Sequence, residues 1–148
     1  AGARIERIGA GPPAAAVSVA VPATGLHAVV AIGGAPEGVL SAAALKCLGG
    51  EIQARFKWRS DEEKERARDM GVDVDDTERV YTTNDLASGD NVVFCATGVT
   101  DGELLRGVRF FGGGARTHSL MLSYQGGLVR FIDTVHMWDP GNPPKVRL

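Results

Sequence analysis

With 148 residues, 44% hydrophobic and 23% charged, the chain has the make-up of one globular domain, neither disordered nor fibrous. A formal net charge of −2 gives no reason to bind nucleic acid or an anionic membrane, since both reward an excess of Lys and Arg. No apolar run approaches the roughly 20 residues that cross a bilayer, and the stretch 14–21 is short and flanked by Pro12, Pro13 and Pro22.

The chain opens on Ala1 without a signal-peptide layout, and its beginning is expected to be cut or processed. The pattern predicts a short strand over residues 5–8. Pro12 and Pro13 then suit the first turn of a helix over residues 14–20. The apolar run 27–32, ending at Gly33, predicts a buried strand. Residues 37–48 predict a helix, with Pro36 at its start and Gly49–Gly50 at its stop. Its small residues 41–44 suit close packing on a sheet. Residues 52–58 alternate as a half-buried strand does.

Ser60 and Glu63 have the spacing of a capping box, opening a helix that runs to Met70 and stops at Gly71. That helix is charged nearly all round and is expected on the outside. Asp73–Asp76 with Glu78 form an acidic loop without calcium-loop spacing. Residues 84–87 suit one helical turn. Strands are predicted over 91–97 (buried), 108–111, 117–124 and 128–136, the last two joined by a turn at 125–127. Strand and helix alternate early, and strands dominate late. This predicts an α/β layered domain with a mixed sheet, parallel first and antiparallel at the end. Cys47 and Cys95 make no Cys-x-x-Cys pair and are both expected as buried, reduced thiols, which implies a reducing compartment.

The segment from Ile32 to Gly38 carries the most chemistry. It joins a predicted strand to a helix, where glycines let backbone N–H groups approach an anion and the helix end adds partial positive charge. Glu37 in that first turn has two readings: a partner of the helix dipole, or a ligand for a hard cation such as Mg²⁺ or Mn²⁺ beside a phosphate. The segment matches neither G-x-G-x-x-G nor a Walker A loop. Arg116, Thr117, His118 and Ser119 follow a triple glycine and read as phosphate contacts or as ordinary polar strand residues. Thr100, Asp101 and Glu103 read as acids near a site or as a helix cap. His27, His118 and His136 have no metal-ligand spacing.

Three stretches resemble the class II fructose-1,6-bisphosphatases: GGAPEGVLSAAALKCLGGEIQARF (residues 33–56), FCATGVTDGELLRGVRFFGGGARTHSL (94–120) and VRFIDTVHM (129–137). AGARI at the start fits as well. The cyanobacterial form acting on fructose 1,6-bisphosphate and sedoheptulose 1,7-bisphosphate is similar down to an ending like PPKVRL. The resemblance implies the C-terminal α/β/α lobe of the metal-dependent sugar phosphatase fold over residues 1–138, with an irregular tail over 139–148. It implies hydrolysis of the 1-phosphate of fructose 1,6-bisphosphate with Mg²⁺ or Mn²⁺. Glu37 matches the acidic metal ligand of the family, and Gly34 the glycine whose backbone meets the substrate. Gly33 and Gly11 fall on the substrate side with it.

The family's remaining metal ligands belong to an N-terminal lobe outside the match, so this chain alone is expected to be inactive. Where the family has Asp-Gly-Asp for the sugar, the residues here are Ala10, Gly11 and Pro12. The loss of both carboxylates removes charge-assisted acceptors for sugar hydroxyls. It opens an alternative: a degenerate, non-catalytic lobe serving as a structural or interaction module. Either way, apolar surface left bare implies an oligomer, the absent lobe or another protein chain as partner. The expected compartment is the cytoplasm or a plastid or other organelle matrix.

Overall fold

The computed structural model describes every residue except 1, 3, 8, 10, 22–24, 103, 139, 140 and 142–148. The residues Ala10 and most of the predicted tail therefore lie outside what is described. In chain order the elements are α1 (Pro12–Ala20), α2 (Ala35–Leu48), β1 (Gln53–Ala54), α3 (Asp61–Asp69), β2 (Tyr81–Thr82), α4 (Thr83–Leu86), β3 (Val93–Thr97), β4 (Arg109–Phe111), β5 (Gly114–Ser123) and β6 (Leu128–Met137).

The helices follow local chemistry. Pro12 opens α1, where its missing N–H is no loss. In α2 the chain stops at Gly49, whose φ of 73° only glycine adopts cheaply, and the Gly50 N–H then closes on the Leu45 carbonyl at 2.9 Å. The side chain of Ser60 caps α3 by accepting from the Glu63 N–H. Glu63 reaches one residue further back than a capping box requires, to the N–H of Arg59. The α4 turn carries a complete box of Thr82 and Asp85, and those hydrogen bonds hold the Asp85 carboxyl below its usual range.

The main sheet has β5 at its centre. β3 and β4 share one edge of it and β6 takes the other. The α/β class stands as expected. Each strand pairing among the described residues is antiparallel. The parallel strand expected over residues 27–32 does not form: Val30 is 98% exposed and Ile32 84% exposed. An apolar run becomes a strand only when a neighbouring strand takes its backbone hydrogen bonds, and no described strand does so here. Residues 4–7 form no strand either, and Ile8 lies outside the described residues. Of residues 52–58, only Gln53 and Ala54 pair, with Thr82 and Tyr81. Beyond them Phe56 stacks on Trp58 at 4.8 Å and meets Tyr81 edge-on.

Helices α1 and α2 cover one face of the sheet. Val17, Ala44, Cys47, Phe94, Leu105, Leu120 and Leu122 form the core between them. Each fully buried leucine removes enough apolar surface to contribute roughly 1.5–3 kcal/mol. Lys46 is also buried. Its ammonium donates to Asn84 Oδ1 and to the Ala87 carbonyl at 3.0 Å each, and lies over the Tyr124 ring, tying α2 to α4 and to the β5–β6 turn.

The two cysteines differ, contrary to the expectation of two buried thiols. Along β3 alternate side chains face opposite ways, so Phe94 turns inward and Cys95 outward. Burial pushes the Cys47 thiol above its usual range. Iodoacetamide at pH 8 should therefore alkylate Cys95 in the native chain and reach Cys47 only on unfolding; mass spectrometry of the native protein reads this directly. In urea unfolding, Leu122→Ala should lower stability by about 2–5 kcal/mol, whereas Val30→Ser should stay within about 0.5 kcal/mol. A large loss at Val30 would restore the buried strand.

Candidate functional site

The candidate site forms where the first turns of α1 and α2 meet. Gly33, just before α2, lies against Pro12, the first residue of α1: a Cβ on Gly33 would stand 2.9 Å from Pro12 Cγ. At the opposite ends, a Cβ on Gly50 would stand 3.6 Å from Ala20 Cβ. Both pairs of ends meet, so the helices lie side by side and point the same way. Small buried residues, Ala15 and Ala16 in α1 and Ser41, Ala42 and Ala44 in α2, permit this closeness. The N-terminus of α2 carries a partial positive charge of roughly half a unit from free N–H groups, whereas α1 adds little, because Pro12 and Pro13 have no N–H and the Ala14 N–H meets the Gly11 carbonyl at 3.1 Å.

This arrangement gathers the residues singled out in the sequence. Gly11 is the N-cap of α1 and Gly34 the N-cap of α2; neither helix has a side-chain cap. Glu37 is the third residue of α2 and is half-buried. Its carboxylate folds back over Gly34, so a Cβ there would collide with Glu37 Oε2. Ser41 Oγ donates to the Glu37 carbonyl at 2.7 Å, bracing that first turn. Among the described residues no Lys, Arg or His pairs with Glu37, and no hydrogen bond holds its carboxylate. Pro12 stands in the first turn of α1, against Gly33.

A cleft of about 330 Å³ opens between α1 and the loop after β3, lined by Gly11, Ala14, Val17, Phe94, Gly98 and Leu105 among others. That loop is closed on itself. Gly98 leaves no room for a Cβ beside the Arg106 carbonyl, and the Val108 N–H meets the Val99 carbonyl at 3.1 Å. Asp101 Oδ1 accepts from the Gly107 N–H at 2.9 Å, so it braces this loop instead of capping a helix or approaching the site. Glu103 lies outside the described residues.

The other candidates are engaged elsewhere. Thr117 pairs with His136 at 3.0 Å and Ser119 with Thr97 at 2.8 Å. Arg116 meets Asp133, and His118 stacks on Phe131. In the acidic loop Asp73 accepts from the Asp75 N–H, and Asp75 draws in Lys64 and Arg68 at 3.4 Å each. Among the described residues no three of His, Cys, Asp and Glu converge as a metal centre. Glu37 thus offers a hard oxygen donor of the kind Mg²⁺ or Mn²⁺ takes, but a single one.

An α/β layer with a carboxylate set where two helix N-termini meet is a fold and site suited to a hard cation with an anion beside it. The chain belongs to the family described as bacterial fructose-1,6-bisphosphatase, glpX-encoded, whose pattern it matches over residues 1–136. It is 45% identical, across its whole length, to the D-fructose 1,6-bisphosphatase class 2/sedoheptulose 1,7-bisphosphatase of Synechococcus sp. (strain JA-3-3Ab) and covers 46% of that protein. Against a like-named protein of Acaryochloris marina it is 46% identical, over 98% of this chain and 44% of the relative. The chain thus spans less than half the length of these curated relatives.

Two substitutions probe the geometry. Gly34→Ala meets only the far end of a flexible side chain, so it should displace the Glu37 carboxylate while changing stability by no more than about 0.5 kcal/mol. Gly98→Ala meets backbone and should cost about 1–3 kcal/mol. Paired urea-unfolding curves test the ranking; equal losses would contradict it.

Proposed function

We propose that this chain is the C-terminal part of a fructose-1,6-bisphosphatase that removes the 1-phosphate with the help of Mg²⁺ or Mn²⁺, and that it also serves sedoheptulose 1,7-bisphosphate. The observation that carries the reading is Glu37. It sits at the joined N-termini of α1 and α2, half-buried, with no cationic side chain paired to it among the described residues, in a chain whose family is established over residues 1–136. A bound divalent cation supplies Lewis-acid polarisation of a phosphoryl oxygen and a more acidic water. This chain contributes one carboxylate to hold it, backbone N–H groups of Gly34 and Gly11 aimed at substrate oxygens, and the cleft beside α1.

One carboxylate does not complete a cation's coordination shell. The remaining ligands come, in this reading, from the part of the polypeptide that the relatives have and the match does not reach, or from a further chain. Exposed apolar side chains support such a partner: Val129, Phe131, Val135 and Met137 of β6 are 47%, 54%, 55% and 72% exposed. No helix among the described residues is long and apolar enough to cross a membrane. A soluble, cytoplasmic setting suits sugar-phosphate chemistry.

A non-catalytic lobe is the competing reading, favoured by Pro12 in place of a sugar-binding carboxylate. One measurement separates the two. In the complete polypeptide, Mn²⁺-dependent phosphate release from fructose 1,6-bisphosphate should fall at least about 100-fold in Glu37→Ala, since even outer-shell partners of a metal are worth 10–100-fold. Equal rates would remove Glu37 from the reaction. No release from the wild type would favour the scaffold.

A further inference from the structure

The register of the sheet sets two arginines side by side. Arg109 of β4 is directly opposite Arg116 of β5. Directly opposed residues point to the same face, with Cβ atoms about 4.5–5.5 Å apart, and like charges in that relation repel. The face is the one that α1 and α2 cover further along, because Arg116 and His118 are in phase with the buried Leu120 and Leu122 of β5. Here the helices no longer reach, and Arg109 is exposed.

The surrounding contacts hold the donors in place without satisfying them. Asp133 is opposite His118 and takes Arg116 through Nε at 3.3 Å, which leaves both terminal guanidinium nitrogens of Arg116 for another acceptor. Arg109 has no side-chain hydrogen bond or ion pair among the described residues. His118 Nδ1 accepts from the Arg106 N–H at 3.2 Å, so the ring hydrogen of the neutral imidazole is on Nε2. Its ring also stacks on Phe131, at 5.8 Å and 20°. Two guanidinium groups and an imidazole N–H therefore share one patch of sheet, against a single carboxylate.

We infer that Arg109, Arg116 and His118 form a binding site for a phosphoryl dianion. A tetrahedral oxyanion carries enough acceptors for all three donors, and it converts a repulsive cross-strand pair into two charge-assisted contacts. The source is either inorganic phosphate or the phosphoryl group of a sugar ester. The site uses neither Glu37 nor a cation, so it goes beyond the phosphatase reading and stands or falls separately.

The test is an NMR titration of the 148-residue chain in EDTA at low salt, following arginine Nε–H and imidazole signals. The probes are inorganic phosphate, fructose 6-phosphate and fructose. Both phosphates should shift the Arg109, Arg116 and His118 signals saturably, and fructose should not. Tighter binding of fructose 6-phosphate than of phosphate identifies a sugar ester as the ligand; equal affinity identifies inorganic phosphate. Arg109→Gln should weaken binding about 10-fold or more, as expected for loss of a charged hydrogen bond. Asp133→Asn should strengthen it, because a competing negative charge is gone. Absence of saturable shifts overturns the site. So does unchanged affinity in a folded Arg109→Gln chain, or, where that variant does not fold, unchanged or weaker binding in Asp133→Asn.

Discussion

The close, same-direction packing of α1 on α2 is the constraint on which the candidate site depends. Ala15, Ala16, Ser41, Ala42 and Ala44 are buried and small, and bulk at these positions would force the helices apart. Because the helices point the same way, Gly11 and Gly34, more than twenty positions apart in the chain, cap neighbouring helix ends. The core residues Leu120, Leu122 and Phe94 then fix this pair on the sheet. A site made of helix ends needs no long side chains to reach across; it needs two backbones held close, and the small residues supply that.

The same packing leaves the rest of the sheet uncovered. Two helices are too few to shield a surface built from ten-residue strands, so the cover ends over β5, and β6 exposes Phe131, Val135 and Met137 on the helix side. On the reverse, Val93 is 55% and Ile132 39% exposed. A strand edge without a partner among the described residues, beside apolar side chains, is an unstable feature in an isolated protein, since it invites pairing with other chains. Arg130, Asp133 and His136 place charge or polarity along β6 and moderate that tendency. The proposed partner lobe accounts for the bare surface without requiring any change in α1 or α2.

Local signals in the sequence carried the helices. Proline at the first turns, glycine at the stops, and the Ser60–Glu63 spacing each act within a few residues, so α1, α2 and α3 lay within a residue or two of expectation. The late strands were legible for a similar reason: a turn at 125–127 joins two alternating segments, and the β5–β6 hairpin follows. What misled was any feature that depends on a distant partner. Residues 27–32 have the composition of a buried strand, but a strand is defined by its neighbour. Cys95 looked apolar in context, yet its face of β3 is set by Phe94 docking on the core. For the site, the helix-start chemistry around Gly33, Gly34 and Glu37 was visible. Its approach to Gly11 was not, because nothing local encodes the packing of α1 on α2; only resemblance pointed to Gly11. The Arg109–Arg116 pair was missed for another reason: the two-residue turn Gly112–Gly113 fixes its register locally, but β5 was expected to begin at residue 117, which left Arg116 outside the strand.

Charge balance explains why the proposed chemistry would call for a cation here. The N-terminus of α2 offers roughly half a unit of positive charge, and α1, which opens on Pro12 and Pro13, adds little. Glu37 places a full negative charge in the first turn of α2, which outweighs that attraction. A bisphosphate approaching the same spot would meet a site of net negative charge, and repulsion would oppose binding. A divalent cation reverses the sign, turning the carboxylate from an obstacle into a ligand and leaving the helix N–H groups to meet phosphoryl oxygens. Removing Glu37 without the cation would therefore make the helix ends a better anion site, whereas in the working enzyme the same change would remove activity. That opposition between binding and turnover distinguishes a metal ligand from a mere dipole partner: a dipole partner, once deleted, would weaken the helix and leave the reaction untouched.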